Sequence, residues 1–397
     1  MGADKAEPYW RRPLREASLL LGLFLAALLI LIVRYSLVED YDRDFMYFYS
    51  VGKLLNERPS AQLYDYRVQQ EMSSEVHPMA FGSHGPSPYP PFVALAFRPL
   101  AKLPFMTAYH IWMLLGFGLY MIGLSLLCKT FLPGDRVGQS AACVCSLLFW
   151  PFLGKTLLNG QVAAIGFFSM SAALCAQYRG RFYFSGIALS ICLYKPTLLL
   201  WLLPLLLVYR AWKTLFGFFG SAAMMFCITT AVLGFEVWRQ YAVMTAGLGA
   251  WQKYLHQTDH VDIFGFIALA SRSESHTLAW ICFLTGAFLI VATWRYIWRS
   301  GVPNRIVLAW AFTIPASLVI NFYSPIYDTI LVIPSLISSF SLLGNAHPQR
   351  LILGSSSLLL ASYLTNWIAS DYRIQLFSLI LTAVAVIQVR RFISATT

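Results

Sequence analysis

The sequence predicts an all-α integral membrane protein, a polytopic helical bundle of about twelve transmembrane helices. Composition is the first reason, because 58% of the 397 residues are hydrophobic and only 12% are charged, which does not suit an ordinary soluble domain. Length is the second, since most apolar runs reach roughly 18 to 22 residues, enough to cross about 30 Å of hydrocarbon as a helix. The runs also lack the alternation of strands, and a helix satisfies its own backbone hydrogen bonds in lipid.

The spans are predicted along the whole chain, with two large loops at 39–104 and 236–276 between them. In order, they are predicted near Ala17 to Val38, Phe105 to Cys128, Gln139 to Phe152, Gln161 to Tyr178, Phe182 to Tyr194, Thr197 to Tyr209, Thr214 to Phe235, Thr277 to Trp298, Arg305 to Asn321, Ile326 to Leu343, Leu351 to Ile368, and Arg373 to Val389. Prolines inside or beside these runs predict kinked or half-length helices. These prolines are Pro196, Pro204, Pro315 and Pro334.

Positive charges set the orientation, because Lys and Arg collect on the cytoplasmic side. Lys5, Arg11, Arg12 and Arg15 precede the first span, and further Lys and Arg recur at alternate turns, so both chain ends are predicted to be cytoplasmic. Most acidic residues then fall outside. With this parity, Pro90 to Leu103 is not a full crossing and is predicted to be a re-entrant or interfacial helix on the outer face.

The chain is therefore predicted to form a single transmembrane domain over residues 1–397. Its parts are a cytoplasmic N-terminal segment at 1–16, a first outer loop with interfacial helices at 39–104, and a second large outer loop at 236–276. The net charge of +11 is explained by inside-facing loops and lipid headgroups, so membrane lipids and not nucleic acid are the expected partners.

Asp44 is the strongest candidate for chemistry in the first outer loop. It precedes an amphipathic segment that continues through Val51 and Leu54 and predicts a helix along the membrane surface. A carboxylate at the boundary between water and lipid can act as a general base toward a hydroxyl. The structural alternative is that Asp44 stabilises the N-terminus of that helix through its dipole.

A series of short motifs occurs in a fixed order along the chain. They are Asp44 to Leu55, Gln62-Leu63-Tyr64-Asp65, Tyr89-Pro90-Pro91-Phe92, Arg98-Pro99-Leu100-Ala101, Leu103-Pro104, Asn159-Gly160-Gln161, Gly186 through Lys195-Pro196-Thr197, and Ser324-Pro325 with Tyr327-Asp328. In this order and spacing they resemble glycosyltransferase family 87. The resemblance is densest in the first half of the chain and rests mainly on hydropathy and the last motif after that.

The resemblance implies a multi-spanning glycosyltransferase of the C type. Such an enzyme takes a sugar from a polyprenyl-phosphate carrier, with polyprenyl-phosphate-mannose as the expected donor, and inverts the anomeric centre. The acceptor is a lipid or glycan, and the expected location is the outer face of a bacterial cytoplasmic membrane. An acidic residue of the first outer loop is the base in that class, which falls on Asp44, with Asp42 and Asp40 as its competitors.

The remaining predicted site residues would bind the substrates. A leaving phosphate needs positive charge or hydrogen-bond donors, for which Lys195 is the first choice and Arg98 the second, while Lys155, Arg239, Lys253 and Arg272 remain candidates. The other predicted contacts are Tyr89, Asn159, Gln161, Tyr327 and Asp328. Alternatives stay open: Lys195 as a snorkelling lysine, and Asn159 and Asp328 as helix caps.

A histidine in a late outer segment is implied by the resemblance but is missing between Asn321 and Asp328. Such a role would have to come from His256, His260 or His276 in the second outer loop, where a solvated histidine is the simpler interpretation. No cofactor and no required metal are predicted, because a monophosphate carrier leaves little charge to neutralise. Cys143 and Cys145 point in different directions on a helix, with no further ligand nearby.

A multi-spanning transporter or lipid flippase is the competing interpretation. It predicts ionisable residues in the middle of spans and broken helices at corresponding positions of two related halves. Charges here lie almost entirely near span ends, and no internal repeat is evident. The enzyme is therefore the favoured hypothesis.

Overall fold

The computed structural model describes residues 30, 33, 34, 44–78, 86, 88–247, 257–271, 276–344 and 348–396. Two compact units divide the chain, Met1–Tyr41 and Asp42–Thr397. In the first unit only Ile30, Val33 and Arg34 are described, and they are helical. The rest of the predicted first span, the N-terminal basic residues, Asp40 and Asp42 lie outside the described residues.

The second unit is helical throughout its described part, apart from turns and one isolated bridge between His260 and Pro325. Its α-helices are α1 Asp44–Glu57, α2 Tyr66–Val76, α3 Pro91–Phe97, α4 Phe105–Phe131, α5 Arg136–Leu147, α6 Ala163–Tyr178, α7 Phe182–Ser190, α8 Leu202–Val208, α9 Trp212–Leu233, α10 Glu236–Gly247, α11 Ile263–Ser271, α12 His276–Arg299, α13 Arg305–Val319, α14 Val332–Leu343, α15 Pro348–Tyr372 and α16 Leu376–Thr396. A π-helix at Pro151–Leu158 joins α5 to α6, and short 3-10 helices include Ile191–Tyr194, Pro196–Leu199 and Ile326–Leu331.

Five helical segments in the described part are long and apolar enough to cross a membrane. They are Phe105–Phe131, Trp212–Leu233, Thr277–Arg299, Ile326–Leu343 and Leu376–Ser394, with a sixth if α5 and the π-helix, bent by 52°, form one span. Exposed apolar side chains on these helices, such as Leu114, Phe216 and Phe288, fit contact with lipid. The all-helical membrane class is thus confirmed, but the count of about twelve is not.

The shortfall has local causes in the predicted spans. Four segments, at 163–178, 182–194, 196–208 and 305–319, are apolar but only 10 to 17 residues long. Lys195 is extended, with φ −140° and ψ 86°, because a residue before proline avoids the helical region. The helix therefore breaks at Lys195, as the position of Pro196 predicts, and Pro315 lies inside α13.

Helix α1 packs onto the start of α4. Phe45 of α1 is fully buried, and its ring lies 5.5 Å from that of Phe105 and 5.6 Å from that of Tyr109. A Cβ on Gly52 would come within 2.7 Å of the Phe97 carbonyl oxygen, so α1 and α3 cross in close contact. The re-entrant placement of the segment containing α3 stays a prediction.

Residues 258–261 contact two segments that are distant in the sequence, at Ser324 and at Gln375. Val261 N–H donates to the Ser324 carbonyl at 2.8 Å, and Gln375 Nε2 donates to the Thr258 carbonyl at 2.5 Å. The π-helix packs against Ile326–Leu331. Residues 159–161, which follow the π-helix, are therefore brought toward residues 321–328.

Candidate active site

Asp44 begins α1 directly against the turn that joins the π-helix to α6. Its backbone N–H donates to Asn159 Oδ1 at 3.3 Å, and its Oδ2 accepts from Asn159 Nδ2 at 2.5 Å. Phe45 N–H donates to the Asn159 carbonyl at 3.1 Å. The first N–H groups of a helix have no partner within it, so Asn159 satisfies two of them and fixes the carboxylate at the same time.

This turn is itself held by α4. Tyr109 donates its hydroxyl to the Leu158 carbonyl at 2.7 Å, and Trp112 Nε1 donates to the Gly160 carbonyl at 2.9 Å. Gly160 has φ +74°, and a Cβ there would lie 2.5 Å from Phe45 Cβ. Only glycine combines this backbone conformation with this close contact. The position of Asn159 is therefore set by α4 as well as by Asp44.

Gln161 supplies a second amide to the carboxylate of Asp44. Its Nε2 donates to Asp44 Oδ2 at 2.8 Å, while its Oε1 accepts from the Tyr89 hydroxyl at 3.4 Å and from Val162 N–H at 3.3 Å. These contacts decide which end of the amide faces Asp44. One carboxylate oxygen thus receives two amide donors, and hydrogen bonds to an ionised acceptor are the stronger kind.

Tyrosines lie beside both groups of the site. The Tyr89 hydroxyl donates to Gln161 Oε1, which places Tyr89 next to Asp44, and the rings of Tyr323 and Tyr327 lie beside Lys195. Burial raises the pKa of Tyr89 well above its ordinary value, and the charges of Asp44 and Asp328 add to this rise. Tyr89 therefore stays a neutral hydroxyl, able to donate and to accept, between the two carboxylates.

Lys195 and Asp328 form a buried ion pair. Lys195 Nζ lies 2.5 Å from Asp328 Oδ2, and the two side chains are 6% and 1% exposed. The ammonium also lies 4.7 Å from the ring centres of Tyr323 and Tyr327, within the range of a cation–π contact. Lys195, expected as a phosphate ligand or a snorkelling lysine, is therefore neutralised by another predicted site residue.

His260 and Asp262 brace the segment that carries the tyrosines. Asp262 Oδ2 accepts from Ser324 N–H at 2.9 Å and lies 3.2 Å from His260 Nδ1. The His260 ring packs edge-on against Tyr323, with 5.0 Å between ring centres. His260 is thus the candidate histidine that reaches the site. His256 and the side chain of His276 lie outside the described residues.

Arg98 is not brought to this cluster through its described contacts. Its Nε donates to Asn56 Oδ1 at 3.1 Å, and Asn56 Nδ2 donates back to the Arg98 carbonyl at 3.0 Å. These bonds join α3 to the end of α1. Of the other candidate cations, Lys155 pairs with Asp259 at 3.1 Å and Arg239 with Glu236, whereas Lys253 and Arg272 lie outside the described residues.

Sequence analysis missed several parts of the cluster. Tyr323 and Asp262 were not predicted to belong to the site. Gln161 was predicted to contact substrate, and in the structure its Nε2 donates to Asp44 Oδ2. Across the described residues, no group of three His, Cys, Asp or Glu side chains is arranged to hold a metal.

Comparison with known proteins gives one family. The model of glycosyltransferase family 87 matches residues 88–325, more than half of the chain. No curated protein and no solved structure matches. The matched region includes Asn159, Gln161 and Lys195, whereas Asp44 precedes it and Asp328 follows it.

Proposed function

This chain belongs to glycosyltransferase family 87, and on that basis we propose that it transfers a sugar from a polyprenyl-phosphate carrier to a lipid or glycan acceptor. Mannose is the proposed sugar. The distribution of Lys and Arg along the sequence supports an active site on the outer face of a bacterial cytoplasmic membrane. The family and the apolar helices together make the protein a membrane glycosyltransferase.

Asp44 is the proposed general base. It takes the proton of the acceptor hydroxyl while the hydroxyl oxygen attacks the anomeric carbon of the donor. The bond between that carbon and the phosphate oxygen breaks, and its electron pair leaves with the phosphate. A single displacement of this kind inverts the anomeric configuration.

The observation that carries this proposal is the double amide contact to Asp44 Oδ2 from Asn159 and Gln161. A carboxylate that served only to stabilise a helix N-terminus would need no donors from an element more than 100 residues away. Here the donors come from a turn that α4 holds in place. Such an arrangement orients the carboxylate before substrate binds, which is what general base catalysis requires.

The donor phosphate is proposed to approach Lys195. An ammonium has three N–H donors, and the contact with Asp328 Oδ2 takes one of them. Tyr89 and Tyr327 would line the sugar beside it, as neutral hydroxyls between Asp44 and the ion pair. Arg98 is the weaker phosphate candidate because Asn56 already accepts from its guanidinium.

The test compares Asp44→Asn with wild type in the full-length protein, incubated with radiolabelled polyprenyl-phosphate sugars and membrane extract. Asp65→Asn is the matched control, because Asp65 caps α2 through the Arg67 N–H at 2.9 Å, and asparagine caps as well as aspartate. Loss of the general base should reduce transfer by about 10²- to 10⁴-fold, while Asp65→Asn keeps it. Equal transfer by all three proteins would remove Asp44 from its role.

A further inference from the structure

Three buried oxygen atoms on the segments that carry the Lys195–Asp328 pair have no hydrogen-bond partner among the described residues. They are Thr197 Oγ1, Ser324 Oγ and Asp328 Oδ1. Ser324 and Asp328 are 0% and 1% exposed. A buried polar group left without a partner costs about 1 to 3 kcal/mol, so three of them on two segments that contact each other through Asn321 and Thr197 require an explanation.

The backbone around these atoms is well bonded. Ser324 N–H donates to Asp262, and its carbonyl accepts from Val261 N–H. The Thr197 carbonyl accepts from Asn321 Nδ2 at 3.0 Å. These bonds hold the segments together and satisfy the backbone groups named here. The three side-chain oxygens are the groups that remain without a partner.

The chemistry of the three atoms selects the kind of ligand that suits them. Asp328 Oδ2 is occupied by Lys195, so the carboxylate already has a cation and its Oδ1 does not call for a second one. Asp328 Oδ1 accepts a hydrogen bond, whereas the hydroxyls of Thr197 and Ser324 can each donate and accept. One fixed acceptor together with two hydroxyls suits the hydroxyl groups of a polyol.

We propose that Thr197, Ser324 and Asp328 bind neighbouring hydroxyl groups of the donor sugar, with Asp328 Oδ1 accepting from one of them. This inference rests on the proposed function and adds the residues that recognise the hydroxyl groups of the sugar. On the side of Asp44, the Tyr89 hydroxyl donates to Gln161 Oε1. On the side of Asp328, the ring centre of the neighbouring Tyr327 lies 4.7 Å from Lys195 Nζ.

A site built in this way discriminates against sugars that lack one of the bound hydroxyl groups. A sugar that lacks the hydroxyl facing Asp328 leaves the buried oxygens unpaired in the complex, and such sites can reject the deficient analogue by as much as about 10⁴-fold. A fluorine at the same position fails as well, because it cannot donate. An analogue altered at a hydroxyl outside the site should be transferred nearly as well as the parent.

The experiment uses the purified full-length protein with Thr197→Val and Ser324→Ala, which remove one hydroxyl each without changing charge. Thr229→Val and Ser317→Ala are the matched controls, since their hydroxyls bond backbone carbonyls within their own helices. Melting temperature is measured without donor, and KM is measured with farnesyl-phosphate mannose and its monodeoxy analogues.

Removal of a buried hydroxyl that has no protein partner should leave the melting temperature unchanged or raise it. The same two variants should raise the donor KM by about tenfold each, the equivalent of about 1.4 kcal/mol per lost hydrogen bond. The control variants should keep the wild-type KM for the donor and should not raise the melting temperature. One monodeoxy donor should have a higher KM than the parent donor with wild type. With Ser324→Ala or Thr197→Val, the KM values of that analogue and the parent donor should become similar.

The outcomes separate the two proposals. If wild type transfers sugar but both variants match the controls in donor KM, Thr197 and Ser324 do not recognise the sugar. If both variants melt below wild type with unchanged KM, the hydroxyls serve an internal water or the fold, which also overturns their role in sugar recognition. If wild type transfers from no polyprenyl-phosphate donor, the proposed function fails instead, and the melting temperatures still decide whether these hydroxyls are dispensable to the fold.

Discussion

Asp44 and Asn159 lie 115 residues apart in the chain and bind each other in both directions. The Asp44 N–H donates to Asn159 Oδ1, and Asn159 Nδ2 donates to Asp44 Oδ2. An asparagine side chain is well suited to this exchange because it carries a donor and an acceptor on one planar group. The position of the proposed base thus depends on an amide from a different part of the fold.

Asn159→Ala should therefore reduce kcat by about 10- to 100-fold, because a hydrogen bond to a charged group contributes about 1.5 to 3 kcal/mol. KM for the donor should stay near the wild-type value if Asn159 positions Asp44. Gln139→Ala is the control, since its amide bonds the Leu132 carbonyl at 2.8 Å. A rise in KM with constant kcat would instead assign Asn159 to sugar binding.

Asn159→Asp gives a second test of the same contact. Two carboxylates at this separation cannot both stay ionised, so they should share one proton. The shared proton then takes the place of the Asn159 N–H donor, but only while the pH is low enough to retain it. Activity of the variant relative to wild type should consequently rise toward acidic pH, as a paired pH–rate profile would detect, and a constant ratio would contradict the contact.

Gly160→Ala should both destabilise the protein and lower its activity. The positive φ alone costs an L residue about 1 to 2 kcal/mol, and the new Cβ would also lie 2.5 Å from Phe45 Cβ. Gly180 is a close control because it has the same φ of +74° but no atom within 4 Å of an added Cβ. Gly180→Ala should lower the melting temperature modestly and keep transfer activity; equal effects from both variants would mean that the close contact with Phe45 is unimportant.

Much of the site could be predicted from the sequence because its pieces are short and local. The Asn-Gly-Gln turn, the Lys-Pro break and the Tyr-Asp pair each occupy a few residues. The sequence did not reveal which of these side chains bind each other. Lys195 and Asp328 were each assigned to substrate, yet they bind each other across 133 residues of chain, and no local pattern encodes such a pairing.

The count of about twelve spans was not confirmed, and the reason is different. Hydropathy measures how apolar a run is, but both lipid-facing and protein-buried helices are apolar. Ile326–Leu343 and Trp212–Leu233 are both long and apolar enough to cross a membrane, yet 72% of the apolar window of the first is buried within the protein and only 17% of that of the second. Runs such as Phe182–Ser190 are equally apolar but too short to cross about 30 Å of hydrocarbon.

Chelation should leave transfer activity unchanged. The proposed donor carries a monophosphate, which Lys195 can contact through N–H donors that Asp328 does not use. In the part of the chain that the structure describes, no group of three His, Cys, Asp or Glu side chains is arranged to hold an ion. Treatment with EDTA followed by assay against an untreated sample measures this directly. Loss of activity that a divalent cation restores would contradict the prediction and would require a metal in the mechanism.

Removing one partner of the Lys195–Asp328 pair should be far more damaging than removing both. Lys195→Met leaves a buried carboxylate uncompensated, which costs about 3 to 5 kcal/mol, whereas the double change Lys195→Met with Asp328→Leu replaces the pair by apolar groups and can be nearly neutral. The melting temperature should therefore fall for the single variant and recover in the double variant.

Transfer activity should not recover together with the melting temperature in the double variant, because both proposed contacts, to phosphate and to sugar, are lost there. Lys155→Met supplies the comparison, since Lys155 and Asp259 form a pair that is 25% and 33% exposed, and such partly solvated pairs contribute about 0 to 1 kcal/mol. A double variant that regains stability but not transfer would separate the structural from the functional contribution of the pair. One that regains both would show that neither residue touches substrate.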